Sequence, residues 1–362
     1  MIFKIIFVVI FLLNKQGENK VLNQDLSPAA SARGQDTTTT TNTTNETEKK
    51  TVLYPIKQDG KYGYIDRSGK LIIKPNFEEA QEYKEGRALI KKNGKYGFID
   101  VKGSMVVEAK FDTAHSFSED RALVGTNKKY GFIDESGAEV ISPRFRNAYD
   151  FSEELTVVQY DVKYGYIDKN GKEAISPRFM YASNFLEGYA CVVFEQGIAG
   201  YINKKGETVL NIETFPDDTD IFPCTSFVDG VAFIKKLDNN QKLKWTLVNI
   251  EGKQVSPLQF DRISTFSEGL AAVSIGEKWG AINKLGNLVI DTKYDYVDSF
   301  YEGAAAVNIG EKWGYIDASG KEFIEFKFDN ALEFRNGMAK VQEGKKWGYI
   351  GLDGKYVWKP TD

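Results

Sequence analysis

The chain has 362 residues, a formal net charge of -4 and an apolar content of 42%. Nothing in this charge suggests the clustered basic surface that nucleic-acid binding requires, so no nucleic-acid partner is expected. Two cysteines are too few for a disulfide-built scaffold, and one histidine, His115, excludes zinc sites built from several histidines. The 19 tyrosines and 24 phenylalanines favour strands over helices.

The N-terminal segment, residues 1–14, contains Lys4 followed by nine apolar residues from Ile5 to Leu13. A membrane-spanning helix needs about 20 residues, whereas a signal-peptide core needs about 7–15. The segment therefore predicts export to the periplasm, the cell surface or the medium, with no further membrane span. An uncleaved N-terminal anchor is the alternative. Residues 15–51 are polar and rich in Thr and Asn, which predicts a disordered linker.

Residues 53–360 consist of nine copies of one unit. Each unit has an anchor residue, normally aromatic and followed by glycine, and a second glycine seven residues after the anchor. The anchor spacings are 34, 34, 34, 35, 46, 34, 34 and 34 residues, so the repeat does not arise by chance. The anchors are Tyr62, Tyr96, Tyr130, Tyr164, Ala199, Trp245, Trp279, Trp313 and Trp347. The glycines are Gly69, Gly103, Gly137, Gly171, Gly206, Gly252, Gly286, Gly320 and Gly354.

Each unit predicts a three-stranded β-meander followed by a connector. The period resembles that of paired-helix repeats, but the short alternation of β-branched and aromatic residues indicates strands. In the second unit we place the strands at 88–91, 96–100 and 104–107. A sequence such as Asp134 to Gly137 suits a type I turn that begins with Asp and ends with Gly.

The stacking of these units predicts an all-β tandem array, because one meander buries too little apolar surface to fold alone. We expect an open solenoid or superhelical array. Closure into a β-propeller is the alternative, since propellers usually have four to eight blades of four strands.

The motifs resemble those of the WG-repeat (KWG-repeat) family of bacterial proteins. The resemblance lies in Lys278-Trp279-Gly280, in Lys312-Trp313-Gly314-Tyr315-Ile316-Asp317 and in Lys346-Trp347-Gly348. It covers essentially all of 53–360 and implies an interaction-type function. The family offers no catalytic residues to transfer to this chain.

Two repeated features have both a structural and a functional interpretation. The aromatic anchors could stack on a glycan or peptide, but a residue that recurs in every unit is more simply a core residue. The connector carboxylates could form a glycosidase pair, but a periodic carboxylate is more simply a turn acceptor. They are Glu85, Glu119, Glu153, Glu187, Asp229, Glu268 and Glu302.

The fifth unit breaks the repeat, because Ala199 replaces the aromatic anchor and 12 extra residues follow within 207–244. Insertions in repeat proteins often lie on a binding face. Candidate interaction residues there are Asp217, Asp218, Asp220 and Phe222. A calcium site is conceivable because calcium takes clustered oxygen ligands, but a surface insertion is favoured, so no metal or cofactor is predicted.

The two cysteines fall at positions where other units have small residues. Cys191 aligns with Ala272, and Cys224 aligns with alanines such as Ala114. Because these positions differ within the unit, buried free thiols are favoured over a disulfide.

These observations predict a non-catalytic binding or scaffold protein of the cell envelope that acts as a monomer and whose partner is an unknown protein or an envelope glycan. An envelope carbohydrate-active hydrolase is one alternative. A purely structural spacer is the other. No serine-hydrolase, phosphate-binding, zinc-protease or dinucleotide-binding motif occurs in the chain.

Overall fold

The computed structural model describes residues 52–195, 197–212 and 223–361. The segments 1–14 and 15–51 and the four candidate interaction residues of the insertion lie outside this range. All regular elements within it are β-strands, as expected. Within these residues no helix has the length and apolar character needed to cross a membrane.

In the described residues, 34 strands form nine antiparallel sheets, one for each repeat, which we number as blades 1–9. Blades 1–3 comprise β1(Tyr54–Gln58), β2(Lys61–Ile65), β3(Leu71–Phe77); β4(Glu79–Lys84), β5(Arg87–Lys92), β6(Lys95–Ile99), β7(Met105–Phe111); and β8(Thr113–Ala114), β9(Ala122–Thr126), β10(Lys129–Ile133), β11(Glu139–Phe145). Blades 4–6 comprise β12(Asn147–Ala148), β13(Leu155–Gln159), β14(Tyr164–Asp168), β15(Glu173–Phe179); β16(Tyr181–Ala182), β17(Tyr189–Val193), β18(Ala199–Asn203), β19(Thr208–Ile212); and β20(Val231–Leu237), β21(Leu243–Asn249), β22(Gln254–Phe260). Blades 7–9 comprise β23(Arg262–Ile263), β24(Leu270–Ile275), β25(Lys278–Asn283), β26(Leu288–Tyr294); β27(Tyr296–Val297), β28(Ala304–Ile309), β29(Lys312–Asp317), β30(Glu322–Phe328); and β31(Asn330–Arg335), β32(Met338–Glu343), β33(Lys346–Gly351), β34(Tyr356–Thr361).

The meander is present in every blade, but seven blades have a fourth strand that the sequence did not predict. This extra first strand comes from the connector and is often only two residues long, as in Thr113–Ala114. It pairs with the next strand at Thr113↔Gly125 and Ala114↔Val124. In blade 6 the first strand is reduced to a single bridge between Cys224 and Ile234.

The turn between the last two strands of each blade has the predicted form. In blade 3 the amide of Gly137 donates to the carbonyl of Asp134 at 2.9 Å, and the Asp134 carboxylate accepts from the amide of Ser136. Gly137 has a φ of 83°, which glycine adopts without the steric cost of a side chain. A Cβ at Gly137 would also lie 2.8 Å from a methyl group of Val107 in blade 2. This glycine therefore serves both the turn and the contact between blades.

The nine blades close into a ring, so the preferred open array was wrong and the propeller alternative is confirmed. At the junction of blades 9 and 1, the Tyr349 hydroxyl donates to the carbonyl of Pro55 at 2.9 Å. The Tyr54 hydroxyl donates to the carbonyl of Asn336 at 2.8 Å. The Tyr54 and Tyr349 rings lie 5.6 Å apart and belong to one buried cluster. The last blade thus packs on the first much as other neighbours pack on each other.

The apolar core lies between blades, and this placement corrects the interpretation of the cysteines. Leu89 of blade 2 and Ala114 of blade 3 share one buried cluster. Cys191 has the position of Leu89 in its own blade, and Cys224 has the position of Ala114 in the next. The two positions differ within a unit but face each other across a blade junction. Accordingly, Cys191 and Cys224 form a disulfide with their Cα atoms 6.1 Å apart, so the prediction of free thiols was wrong.

Candidate functional site

The aromatic anchors support the core from its edge and do not form an open stacking surface. Trp279 is only 6% exposed, and the other aromatic anchors are partly buried. In four blades a lysine covers one face of the anchor ring, at 5.0 Å for Lys91 over Tyr96 and 5.1 Å for Lys340 over Trp347. These contacts leave little of the repeated rings free for a glycan.

The fully buried aromatic position lies two residues after the anchor, and the sequence interpretation did not single it out. Phe132 is 0% exposed and packs 4.9 Å from Phe151 of the next blade. Where this residue is a tyrosine, its hydroxyl bonds to the following blade, as Tyr166 does to the carbonyl of Ser183 at 2.8 Å. The equivalent residues are Tyr64, Phe98, Phe132, Tyr166, Tyr201, Leu247, Ala281, Tyr315 and Tyr349.

The connector carboxylates act as turn acceptors between blades, as the simpler interpretation predicted. Glu85 of blade 2 accepts hydrogen bonds from the amides of Glu119 and Asp120 in blade 3, at 2.8 and 2.9 Å. Glu119 in turn accepts from the amides of Glu153 and Glu154 in blade 4, at 2.6 and 2.8 Å. The same type of bond is made by Glu153, Glu187, Glu268 and Glu302. Because these oxygens are already committed to backbone amides, the carboxylates have a structural task.

The opposite edge of the ring, which we call the rim, carries a second repeated contact. The lysine before the anchor pairs with an aspartate 17 residues later, at 2.5 Å for Lys95–Asp112 and 2.7 Å for Lys312–Asp329. The other oxygen of Asp112 accepts from the amide of Asn127 at 2.9 Å. The hydrogen bond from Lys95 is the main reason why the pKa of the Asp112 carboxyl is lowered. In blades 2, 6, 7 and 8 this pair joins the hairpin to the connector that follows it.

The rim contact is interrupted on both sides of blade 4. The aspartate position is occupied by Arg146 after blade 3 and by Met180 after blade 4. Arg146 lies 3.5 Å from the carboxylate of Asp161, and Lys163 instead pairs with Glu195 of blade 5 at 2.8 Å. The hairpins of blades 4 and 5 are therefore joined to each other by an ion pair that the repeat pattern does not contain.

Four exposed apolar side chains occupy this interrupted part of the rim, and we call them the apolar rim. Tyr160 and Val162, in the β13–β14 hairpin, are 39% and 55% exposed. Met180 precedes β16, Ile198 precedes β18, and each is 46% exposed. Clustered exposed apolar side chains are a usual mark of a protein contact surface.

The insertion of the fifth unit is described only in part. Asp217, Asp218, Asp220 and Phe222 lie outside the described residues, so their proposed role stays a prediction. The later part of the insertion lengthens the β20–β21 hairpin, whose strands each have seven residues. The disulfide of Cys224 with Cys191 fixes the chain just after the undescribed segment.

The only histidine joins blades 3 and 4. Its Nδ1 atom lies 2.9 Å from an oxygen of Asp150, and both side chains are partly exposed. Burial, the largest single influence, lowers the pKa of His115. The hydrogen bond to Asp150 and the charge of Asp150 together outweigh burial, so the pKa is raised overall. This pair links two connectors. Within the described part of the chain, neither His115 nor Asp150 belongs to a group of residues placed to hold a metal ion.

The junction between blades 9, 1 and 2 contains a cavity of about 50 Å³, which we call the seam cavity. Among the described residues blade 1 has three strands, without the first strand that seven other blades have. Tyr54 takes a position that is Ala or Thr in the other eight blades, and its ring partly fills the space. The lining residues are Tyr54, Glu82, Leu332, Glu333, Arg335, Met338, Lys340 and Tyr349.

A partly buried carboxyl in the connector of blade 8, next to Glu333 and Arg335 of blade 9, should make stability depend on pH. Burial raises the pKa of Asp298 from 3.8 to about 6, Glu333 adds to the rise, and Arg335 and the Ser299 amide oppose it. Because the folded pKa exceeds the unfolded pKa, the stability that Asp298 contributes is fully present below pH 4 and is lost as pH rises through about 6. We expect Asp298→Asn to raise the free energy of unfolding at pH 7 by about 1–2 kcal/mol, because partial exposure reduces the full effect.

Urea unfolding at pH 4 and pH 7 measures this effect, with Asp295→Asn as the control. The hydrogen bond from Lys278 lowers the pKa of Asp295, so its replacement should cost stability at pH 7. If Asp298→Asn and Asp295→Asn changed the free energy of unfolding equally at pH 7, the expectation that the charged Asp298 destabilises the fold would be wrong.

Comparison with known proteins identifies the repeat. The family model for the WG-containing repeat matches residues 62–96, 96–130, 130–164, 164–196, 245–279, 279–313 and 313–347. The gap between 196 and 245 coincides with the altered fifth unit. No curated protein matches the chain.

Two of the solved structures to which this chain is similar are the following. BamB from Moraxella catarrhalis is 14% identical, with 84% of this chain and 88% of that chain covered and a TM-score of 0.41. Dihydro-heme d1 dehydrogenase NirN, in complex with DHE, is 12% identical, with 76% and 72% covered and a TM-score of 0.46.

Proposed function

The chain belongs to the WG-containing repeat family, and from this premise we propose that it is a non-catalytic scaffold that binds another protein outside the cytoplasm. The binding surface is the apolar rim of blades 4 and 5. The observation that carries the proposal is the replacement of the repeated Lys–Asp pair at this place by exposed apolar side chains. In blades 2, 6, 7 and 8 the Lys–Asp pair places charges at the rim, whereas exposed apolar side chains without such a pair gain free energy when a partner covers them.

Two further observations support parts of this proposal. The disulfide between Cys191 and Cys224 and the signal-peptide-like segment 1–14 both fit an oxidising compartment such as the cell envelope. The repeated carboxylates are occupied by backbone amides, which fits a structural and not a catalytic task. We expect the chain to be monomeric without its partner.

The apolar rim is a better candidate than the aromatic anchors for contacting a partner. The anchors recur in nearly every blade and are largely covered, so they cannot mark one place on the ring. On blades 4 and 5 the exposed apolar side chains coincide with the loss of the Lys–Asp pair, and the Lys163–Glu195 ion pair links the two hairpins. A preorganised surface loses less conformational entropy when it binds.

We expect the double substitution Val162→Asp, Met180→Asp to abolish binding of the envelope protein that the unaltered chain captures. The tagged full-length chain would be exposed to envelope-protein extract, and the captured protein identified by mass spectrometry and titrated in purified form. Two desolvated carboxylates should weaken the complex at least about a hundredfold, which corresponds to 2.8 kcal/mol.

The matched control is Ile275→Asp, Ile309→Asp, which alters two exposed isoleucines in the hairpins of blades 7 and 8. These residues lie in the same type of hairpin, next to intact Lys278–Asp295 and Lys312–Asp329 pairs, so binding should be unchanged. Loss of binding in the control alone, or capture of only a second copy of this chain, would overturn the proposal.

A further inference from the structure

The seam cavity contains charges that the repeat pattern does not account for. Glu82 enters it from the first strand of blade 2, and Lys340 enters it from the second strand of blade 9. Lys84 lies two residues after Glu82, close enough for its charge to be influenced by Arg335 of blade 9. None of these three side chains forms an ion pair with a described residue.

The neighbouring charges are, by contrast, already paired. Both Nε and Nη2 of Arg335 donate to one oxygen of Glu333, at 2.8 and 2.6 Å, and the guanidinium lies over the ring of Tyr301 at 4.9 Å. Arg335 and Glu333 therefore form a wall of the seam cavity with little net charge. The two opposite charges that remain available in the lining are those of Glu82 and Lys340.

The surroundings of the lysines favour an added anion. Burial lowers the pKa of Lys340 and of Lys84, and in each case Glu82 only partly offsets this effect. The Lys340 ammonium lies over the Trp347 ring at 5.1 Å but has no carboxylate of a described residue paired with it, and a partly desolvated ammonium gains free energy when a carboxylate pairs with it. Glu82 lines the same cavity without an ion pair to a described residue, so its carboxylate can pair with an added cation.

We infer that the seam cavity binds a small molecule that carries both an ammonium and a carboxylate, as a free amino acid does. Lys340 pairs with the carboxylate, and Glu82 pairs with the ammonium. The cavity of about 50 Å³ holds a few water-sized groups, which suits the charged head of such a ligand. The site lies on blades 9 and 2 and is separate from the apolar rim.

Isothermal titration of the full chain with glycine, L-alanine and L-serine tests this inference. Acetate and methylammonium, each carrying one of the two charges, serve as half-ligands. We expect saturable binding of at least one amino acid with a Kd of about 0.1–5 mM, and at least about tenfold weaker binding of both half-ligands. Absence of saturable binding, or equal binding of acetate, would overturn the inference.

Substitutions locate the binding site on the ring. Glu82→Gln and Lys340→Gln should each weaken amino-acid binding at least about tenfold. Lys340→Arg, which keeps the positive charge, should retain part of the binding. Lys312→Gln, at a rim lysine already paired with Asp329, should have no effect. Thermal unfolding followed by circular dichroism confirms that each variant is folded, and unchanged binding in folded Glu82→Gln and Lys340→Gln would place the ligand elsewhere.

Discussion

Replacement of Phe132 by alanine is expected to lower the free energy of unfolding by about 3–5 kcal/mol, the range typical of a large aromatic side chain deleted from a core. Phe132 is fully buried and belongs to a cluster that includes Leu123 of its own blade and Phe151 and Val158 of the next. The cavity left by the substitution would open at a blade junction, where each unit depends on its neighbour. Urea unfolding followed by circular dichroism measures the loss.

Tyr130, the anchor two residues earlier, provides the matched comparison. It is partly buried and packs against the edge of the same cluster, so Tyr130→Ala should cost only about 1–2 kcal/mol. The two substitutions remove rings of similar size from one strand. A greater loss from Tyr130→Ala would show that the anchors, and not the residues two positions later, form the centre of the core.

Removal of the disulfide by Cys191→Ala, Cys224→Ala is the second change with a large expected effect. The bond joins residues separated by 33 positions and links blade 5 to blade 6, where the usual first strand is reduced to one bridge. Its loss should lower the free energy of unfolding by about 2–4 kcal/mol through the greater freedom of the unfolded chain. Alanine suits both positions, because other units have alanine there.

Thermal unfolding with and without a reducing agent separates the bond from the side chains. The unaltered chain should lose stability on reduction, whereas the alanine variant should not respond. Equal stability of the unaltered and alanine chains under oxidising conditions would contradict a stabilising role of the disulfide at this junction.

The strands and turns of this chain could be predicted from sequence because they depend on local patterns. The Asp134 to Gly137 turn follows from residues that are adjacent in the chain. Ring closure could not be predicted, because a period of about 34 residues does not fix the rotation between units. Closure depends on contacts such as Tyr349 with Pro55 and Tyr54 with Asn336, whose partners lie at opposite ends of the repeat array.

The candidate sites were less predictable, because repeated residues first report packing between units. Alignment placed Cys191 and Cys224 correctly within the unit, but only the blade junction shows that these two positions face each other. The apolar rim did leave a signal in the sequence, since Met180 occupies the position of a repeated aspartate. That signal has a meaning only after the Lys–Asp contact between connector and hairpin is known.

Site-specific photocrosslinking tests the central claim, that the apolar rim of blades 4 and 5 contacts a protein partner, most directly. A photoreactive amino acid would replace Val162 in one variant and Ile309, in the corresponding hairpin of blade 8, in another. Both variants would be irradiated in the producing cells. The account predicts a crosslink to the same partner protein from position 162 and none from position 309. A crosslink from position 309 alone, or from neither position in cells where the partner is present, would contradict it.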